Sequence, residues 1–261
     1  MTRILEWTPG LWGATGEPWP GVRYVSTWRG GGVSAAPWDS LNLGLHVDDD
    51  PAAVRENRAR VRAGLPAEPL WLSQVHGTAV WQASDSPGTT RLAAPADAPC
   101  ADAAVTAMRG RPLAIMTADC LPVVLADRDG TVLGAAHAGW RGLAAGVLEN
   151  TLSVMRRQAP RASAWRAWIG PGIGPDAFEV GDEVRRAFME QDAEAAACFA
   201  PSARAGHWLA DLAGLAARRL ARAGVDQVEC SGECTYRRAD RYFSYRRQVR
   251  TGRQVTLAWL V

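Results

Sequence analysis

Leu113-Ala-Ile-Met-Thr-Ala-Asp-Cys120 runs on into Leu121-Pro-Val-Val-Leu-Ala-Asp-Arg-Asp-Gly130 and then Thr131-Val-Leu-Gly-Ala-Ala-His-Ala-Gly-Trp-Arg-Gly142. Three apolar runs, Pro112–Thr117, Pro122–Ala126 and Thr131–Ala136, read as strands, and Asp129-Gly130 between the last two is a two-residue hairpin signal. Outward from this centre, Val22–Trp28, Leu70–Val75, Ala79–Ala83 and Ala103–Thr106 have the same character. Tyr242–Arg246 and Gln254–Trp259 read as a closing antiparallel pair around Thr251-Gly252. Helices are interspersed. Asp50 before Pro51 is an N-cap followed by a proline at the first helical position, ahead of Val54–Val61. A longer helix is expected from about Gly142 to Arg157, with Leu143, Val147, Leu148 and Leu152 on one stripe. Two more are expected near Gly181–Glu190 and Asp211–Ala223. Strands and helices mixed in this order predict an α+β fold with a large mixed sheet. The wide Pro-, Gly- and Ala-rich loops Pro9–Gly21 and Ser84–Cys100 do not separate two possible cores, so residues 1–261 read as a single domain.

The chain has 261 residues, of which 48% are hydrophobic and 21% charged, a globular composition that excludes a mostly disordered chain. A net charge of +2 argues against non-specific nucleic-acid binding, which needs a concentrated basic face. All 29 basic residues are Arg. The absence of Lys removes Schiff-base, P-loop and general-base lysines. The first residues carry no apolar run before a small-residue cleavage site, and no 18 apolar residues run together, so neither export nor a membrane span is expected. Five cysteines, an odd number without an export signal, are expected as reduced thiols in the cytoplasm.

Only four histidines occur: His46, His76, His137 and His207. His76, Cys120 and His137 each stand at the end of a strand-like run next to Gly or Pro, where ends on one rim of a sheet can converge. Two imidazoles and a thiolate are a sound donor set for Zn²⁺, leaving one tetrahedral position for water. Such an ion lowers the pKa of its water toward neutrality. The same residues also fit a turn-capping His, a buried small thiol and a His bonded to a carbonyl, and their spacing is not a local metal motif.

Further motifs appear in order: Arg29-Gly-Gly-Gly-Val-Ser34, Ser40-Leu-Asn-Leu-Gly-Leu-His46, Glu56-Asn-Arg58, Ser73-Gln-Val-His-Gly77, Thr117-Ala-Asp-Cys-Leu-Pro122 and His137-Ala-Gly-Trp-Arg-Gly142. Ile169-Gly-Pro-Gly-Ile-Gly-Pro175, Phe178-Glu-Val-Gly181 and Phe243-Ser-Tyr-Arg246 follow. From about residue 22 to the C-terminus the chain resembles the YfiH family of polyphenol-oxidase or laccase-domain, purine nucleoside phosphorylase-like proteins. The resemblance implies a single-domain α/β sandwich with mixed sheets, similar to the cytotoxic-necrotizing-factor catalytic fold, and a zinc on the positions of His76, Cys120 and His137. It also implies purine nucleoside chemistry: phosphorolysis of adenosine, inosine or methylthioadenosine, and deamination of adenosine by zinc-activated water. Asp176 and Ala177 depart from the family, where a paired cysteine often follows the Gly-Pro loop.

Under that reading the partners are a nucleoside and phosphate, with no nucleic acid and no membrane, and the oligomeric state stays open. His76, Cys120, His137 and the neighbouring Asp119, as proton shuttle or as turn former, are the catalytic candidates. Arg58, with Arg29 and Arg141 behind it, is the phosphate candidate, against the plainer reading of a solvated helix face. Ser40 and Asn42 bind ribose or phosphate, or shape turns. A helix starting near Gly142 could add amides to an anion site. His46 lines the pocket or is structural, and His207 is read as surface. Cys230-Ser-Gly-Glu-Cys234 lacks the second pair that a zinc ribbon needs, and Cys234 is expected near the site without ligating. Two alternatives remain: Cys120 as nucleophile with His137 as base, hydrolysing an amide in cell-wall precursors, and a copper polyphenol oxidase. Four histidines disfavour a multicopper cluster, although copper can substitute at a His₂Cys site.

Overall fold

Leu121–Asp127, Leu133–Ala138 and Ala103–Thr106 are buried along their whole length. Strands with no polar face require a covering layer on both sides. The computed structural model describes residues 2–83 and 98–261. In chain order, β1 (Arg3–Thr8), β2 (Leu11–Thr15) and β3 (Val22–Thr27) precede α1 (Pro51–Ala63) and β4 (Val80–Gln82). Next come β5 (Ala103–Thr106), β6 (Leu113–Thr117), β7 (Leu121–Asp127), β8 (Leu133–Ala138), α2 (Trp140–Ala145), α3 (Val147–Gln158) and β9 (Trp165–Ile169). The remainder is β10 (Glu179–Gly181), α4 (Asp182–Met189), β11 (Phe199–Pro201), β12 (His207–Ala210), α5 (Leu212–Arg222), β13 (Gln227–Cys230) and β14 (Gln254–Leu260).

Two large sheets form the centre. One is antiparallel, ordered β1-β2-β3-β14-β6; the other is mixed, ordered β13-β9-β7-β8-β5-β4, with parallel pairs at its two edges. Their inner faces meet through Tyr24, Leu113, Ile115 and Leu260 against Val124, Leu133, Ala135 and Trp168. Outside the first sheet, Val61 of α1 packs with Val25, Met116 and Leu257. Outside the second, Leu148, Leu152, Val184, Leu215 and Leu220 cover Val123, Leu125 and Ala136. The result is an α/β sandwich of one antiparallel and one mixed sheet in four layers, α–β–β–α. β10-β12-β11 form a small third sheet.

The N-cap reading holds at α1, where the Asp50 carboxylate accepts from the Ala52 amide at 2.9 Å and Pro51 opens the helix. Asp50→Ala is expected to lower stability by about 1 kcal/mol, read as a shift of the denaturant midpoint without a change of slope.

Other expectations give way to tertiary pairing. Leu70–Val75 is not a strand of either sheet: its backbone forms isolated bridges at Leu70 and Ser73, and the Gln74 side chain bonds Met116 of β6. Tyr242–Arg246 is not a strand: β14 is wholly or nearly buried and takes β3 and β6 as its neighbours. Asp129-Gly130 is not a two-residue hairpin, since β7 and β8 pair only as far as Ala126 and Leu133. The Asp127 carboxylate organises that loop, accepting from the Thr131 and Val132 amides at 2.7 and 2.9 Å. The long helix is two, α2 and α3, parted at Gly146, whose φ of 98° is left-handed backbone that glycine favours. Within the expected loop Pro9–Gly21, residues Leu11–Thr15 form β2 after a turn at Gly10. Most of the second loop, residues 84–97, lies outside the described residues. All five cysteines are free thiols. No helix among the described residues is long and apolar enough to cross a membrane.

Candidate active site

The site is assembled by a residue that sequence reading overlooked. Asp102 lies immediately before β5 and is fully buried. Its carboxylate accepts from the backbone amides of Val75, His76 and Gly77 at 3.1, 2.9 and 2.7 Å. It also binds Nδ1 of His137 at 2.8 Å. Four bonds fill the acceptor capacity of an ionised carboxylate. Burial opposes ionisation, but the bonds from His137 and the Gly77 amide outweigh it and hold the carboxyl below its usual range. The three amides wrap a turn in which His76 adopts a φ of 61°, a conformation that costs energy unless such bonds hold it. A carboxylate only accepts, so His137 carries its hydrogen on Nδ1 and turns Nε2 toward the cavity.

Cys120 follows Asp119, which has a φ of 97°, at the entry to β7. Its Sγ lies 3.6 Å from His76 Nε2. The His76 and His137 rings meet edge to face with centroids 4.8 Å apart. One ligand atom from each of the three residues lies within 4.8 Å of the other two, and among the described residues no other group of His, Cys, Asp or Glu does this. A tetrahedral ion with Zn–S of about 2.3 Å and Zn–N of about 2.0–2.1 Å separates sulfur from nitrogen by about 3.6 Å. The geometry and the donor chemistry therefore fit a single divalent ion of the zinc type. Gly139 keeps the space open, because a Cβ there would stand 2.7 Å from His76 Cδ2 and 2.9 Å from Cys120 Sγ. Gly142 does the same for the His76 turn, where a Cβ would meet the Gly77 carbonyl at 2.7 Å.

Burial would push the Cys120 thiol up, but His137 and His76 beside it bring it down to about 6. Burial would likewise lower His137, yet the Cys120 charge and the Asp102 bond raise it. The protein thus favours the thiolate, the form that ligates a metal or attacks carbon.

The trio opens onto a cavity of about 530 Å³. Ile173, Phe178, Leu212 and Trp140 supply apolar walls, while His46, Arg253, Arg246 and Arg141 supply basic ones. Arg253 donates from Nη1 to the Thr251 and Gly252 carbonyls at 3.2 and 3.0 Å and forms no ion pair among the described residues. Burial lowers its pKa. Burial, together with the Arg253 and Arg58 charges, also lowers His46 and keeps that imidazole neutral near pH 7.

Of the expected phosphate and ribose residues, only Arg141 lines this cavity, stacked 4.5 Å over the Trp140 ring. Arg58 is neither a cavity residue nor on a solvated face. It is buried behind Met116, its guanidinium 3.8 Å over Trp71 and its Nε bonded to the Leu43 carbonyl. Burial brings it down to about 10. Arg29 is tied to Asp39 at 3.0 Å. Ser40 and Asn42 are loop organisers: Ser40 Oγ accepts from the Gly32 amide, and Asn42 Oδ1 from the Gly44 and Arg253 amides. Asn42 thereby positions Arg253 from behind the wall. Asp119 lines the cavity, but its carboxylate accepts from Thr235 Oγ1 and the Arg246 amide, both at 2.7 Å, so it braces two wall loops.

The helix expected near Gly142 begins at Trp140 and has only six residues. His46 does line the cavity. His207, expected at the surface, is half-buried in β12. Cys234 sits at the edge of the Gly-Pro loop, its Sγ accepting from the Gly174 amide, and is not one of the trio. Cys230 is exposed. At the position of the family's paired cysteine, Asp176 pairs with Arg237 at the surface.

Asp102 and Arg253 were the missed residues. A lone acid opening the apolar run Ala103–Thr106 was a usable signal for the first. Nothing in the local sequence marked Arg253 among 29 arginines.

Residues 23–261 match the family model described as multi-copper polyphenol oxidoreductase laccase. The chain is 50% identical over 245 residues to a purine nucleoside phosphorylase of Pseudomonas aeruginosa, covering 93% of this chain and 96% of that one. It is 47% identical over 248 residues to the purine nucleoside phosphorylase YfiH of Escherichia coli, covering 93% and 97%. Among solved structures, a Neisseria meningitidis protein is similar with a TM-score of 0.85 at 44% identity, over 96% of this chain and 99% of that one. YlmD from Geobacillus stearothermophilus is similar with a TM-score of 0.89 at 28% identity, over 100% and 99%.

Proposed function

The chain belongs to the multi-copper polyphenol oxidoreductase laccase family, and from that premise we propose that it is a zinc-dependent purine nucleoside phosphorylase rather than a copper oxidase. The observation that carries this reading is one cavity with the His76–Cys120–His137 trio on its floor and, in its wall, a half-buried Arg253 that forms no ion pair among the described residues. Relatives named purine nucleoside phosphorylase at about half identity support it. The family's copper label fits the donors poorly. The trio can hold one ion, and His46 and His207 do not join it, whereas a multicopper cluster needs many imidazoles.

In phosphorolysis an oxygen of inorganic phosphate bonds to ribose C1′ as the C1′–N9 bond breaks. The bond pair leaves on the purine, which takes up a proton, and ribose-1-phosphate is the second product. Arg253 and Arg246 would hold the phosphate, planar guanidinium groups being suited to bidentate contact with its oxygens. Trp140 and Phe178 would pack the base. His76, Cys120 and His137 would hold a zinc ion, which supplies Lewis-acid polarisation when bound. Asp102 would keep His137 oriented.

Adenosine and phosphate incubated with the metal-loaded protein are expected to yield adenine and ribose-1-phosphate. No base release with metal confirmed would reject the reading. Inosine formed without phosphate would add deamination. Activity indifferent to chelators would instead favour Cys120 as a metal-free nucleophile, for which the depressed thiol beside His137 is the supporting observation. Arg253→Ala is expected to raise KM for phosphate tenfold or more, by about the worth of a charge-assisted hydrogen bond, with KM for adenosine unchanged. Initial rates at varied phosphate measure this.

A further inference from the structure

Beside the candidate site is a second cavity of about 370 Å³, and Trp140, Arg141, Phe178 and Arg246 line both. Its other polar lining side chains are Glu179, Glu183, Arg204 and His207. Several of these are already engaged. Glu179 accepts from Ser202 Oγ, Arg246 Nη1 donates to the Glu179 carbonyl at 2.9 Å, and His207 Nδ1 bonds the Ala205 carbonyl at 3.1 Å. Arg141, Arg204 and Glu183 are exposed, line this one space and form no ion pair within 4.0 Å among the described residues. A simple anion would satisfy the arginines and bring like charge toward Glu183 and Glu179; a simple cation would do the reverse. A group with both an acid and an ammonium matches the set: its carboxylate to Arg141 and Arg204, its ammonium to Glu183.

We propose that this second cavity holds the α-amino-acid head of a substrate arm, so that the chain takes purine nucleosides whose 5′ carbon carries a zwitterionic amino-acid extension. The proposal rests on the phosphorylase reading, with purine and ribose in the first cavity and the arm crossing past Trp140 and Phe178. The chemical step is unchanged. Phosphate oxygen bonds to C1′, C1′–N9 breaks with its electron pair going to the purine, and the sugar product keeps its 5′ arm.

The test compares S-adenosylhomocysteine, methylthioadenosine and adenosine, the first two sharing a 5′ thioether and only the first bearing an amino-acid head. S-adenosylhomocysteine is expected to show a KM about tenfold below that of methylthioadenosine, the worth of one charge-assisted hydrogen bond. Arg204→Ala and Glu183→Gln, both outside the first cavity, are each expected to erase that advantage and leave the kinetics of adenosine unchanged. Equal KM values, or an advantage that survives both variants, would overturn the proposal while the phosphorylase reading stands. No phosphorolysis of adenosine by the metal-loaded protein would overturn both.

Discussion

Cys120→Ala protein is expected to be isolated without a stoichiometric divalent ion and to release no measurable base from adenosine. Three donors are the fewest with which a catalytic zinc site is normally built, and the thiolate is the charged one. Removing it leaves two neutral imidazoles, one of them, His76, at the exposed rim. Loss of a supporting group beyond the ligands already costs about 10–100-fold in metal affinity, and loss of a ligand is expected to exceed that. The fold should survive. Cys120 is a half-buried side chain at a strand entry, and its removal strands no buried hydrogen-bond partner beyond the site. Metal analysis, circular dichroism and the nucleoside assay on one preparation read all three expectations. A metal-free variant with full turnover would take the ion out of the reaction. A variant that keeps its ion and loses turnover would assign Cys120 a chemical role beyond ligation.

Asp102→Ala is expected to be the most destabilising substitution near the site. It leaves the amides of Val75, His76 and Gly77 and the Nδ1–H of His137 without their acceptor, which is itself fully buried. Stripping one side of a buried charged network typically costs on the order of 3–5 kcal/mol. The same change frees the strained His76 turn and the His137 tautomer, so metal affinity is expected to fall by about 10–100-fold even in the folded fraction. Asp102→Asn, of the same size, offers one acceptor oxygen and presents an NH₂ to the remaining donors, so an intermediate loss is expected. Chemical denaturation and metal titration measure the two effects separately. Unchanged stability in Asp102→Ala would show that the four bonds are replaceable by water.

The particular residues explain how far the sequence could be read. His76, Cys120 and His137 were legible because each is a scarce residue type placed where an apolar run meets Gly or Pro, and those junctions lie on one rim of the sandwich. The glycines of His137-Ala-Gly-Trp-Arg-Gly142 were legible as a motif, but their reason was not. Only the packed structure shows that Gly139 and Gly142 yield space to the trio and to the His76 turn. Arg58 was misplaced for an instructive reason. Its helix has the expected cap and length, but the face that Arg58 occupies points inward onto Trp71 and Met116. The basic cavity wall falls instead to Arg253 at the entry to β14.

By itself, then, the order and chemistry of the residues determined the class of fold, most strand and helix positions, the α1 cap and the three donors. Those are local matters: a run of apolar side chains needs burial, a carboxylate caps the amides after it, and scarce soft ligands stand out in any context. Tertiary structure alone decided which strands neighbour β14, that Asp102 holds two distant segments at once, and which arginine lines the cavity without an ion pair among the described residues. Pairing and charge compensation depend on distances through space between residues far apart in sequence. Such distances exist only after the layers have packed.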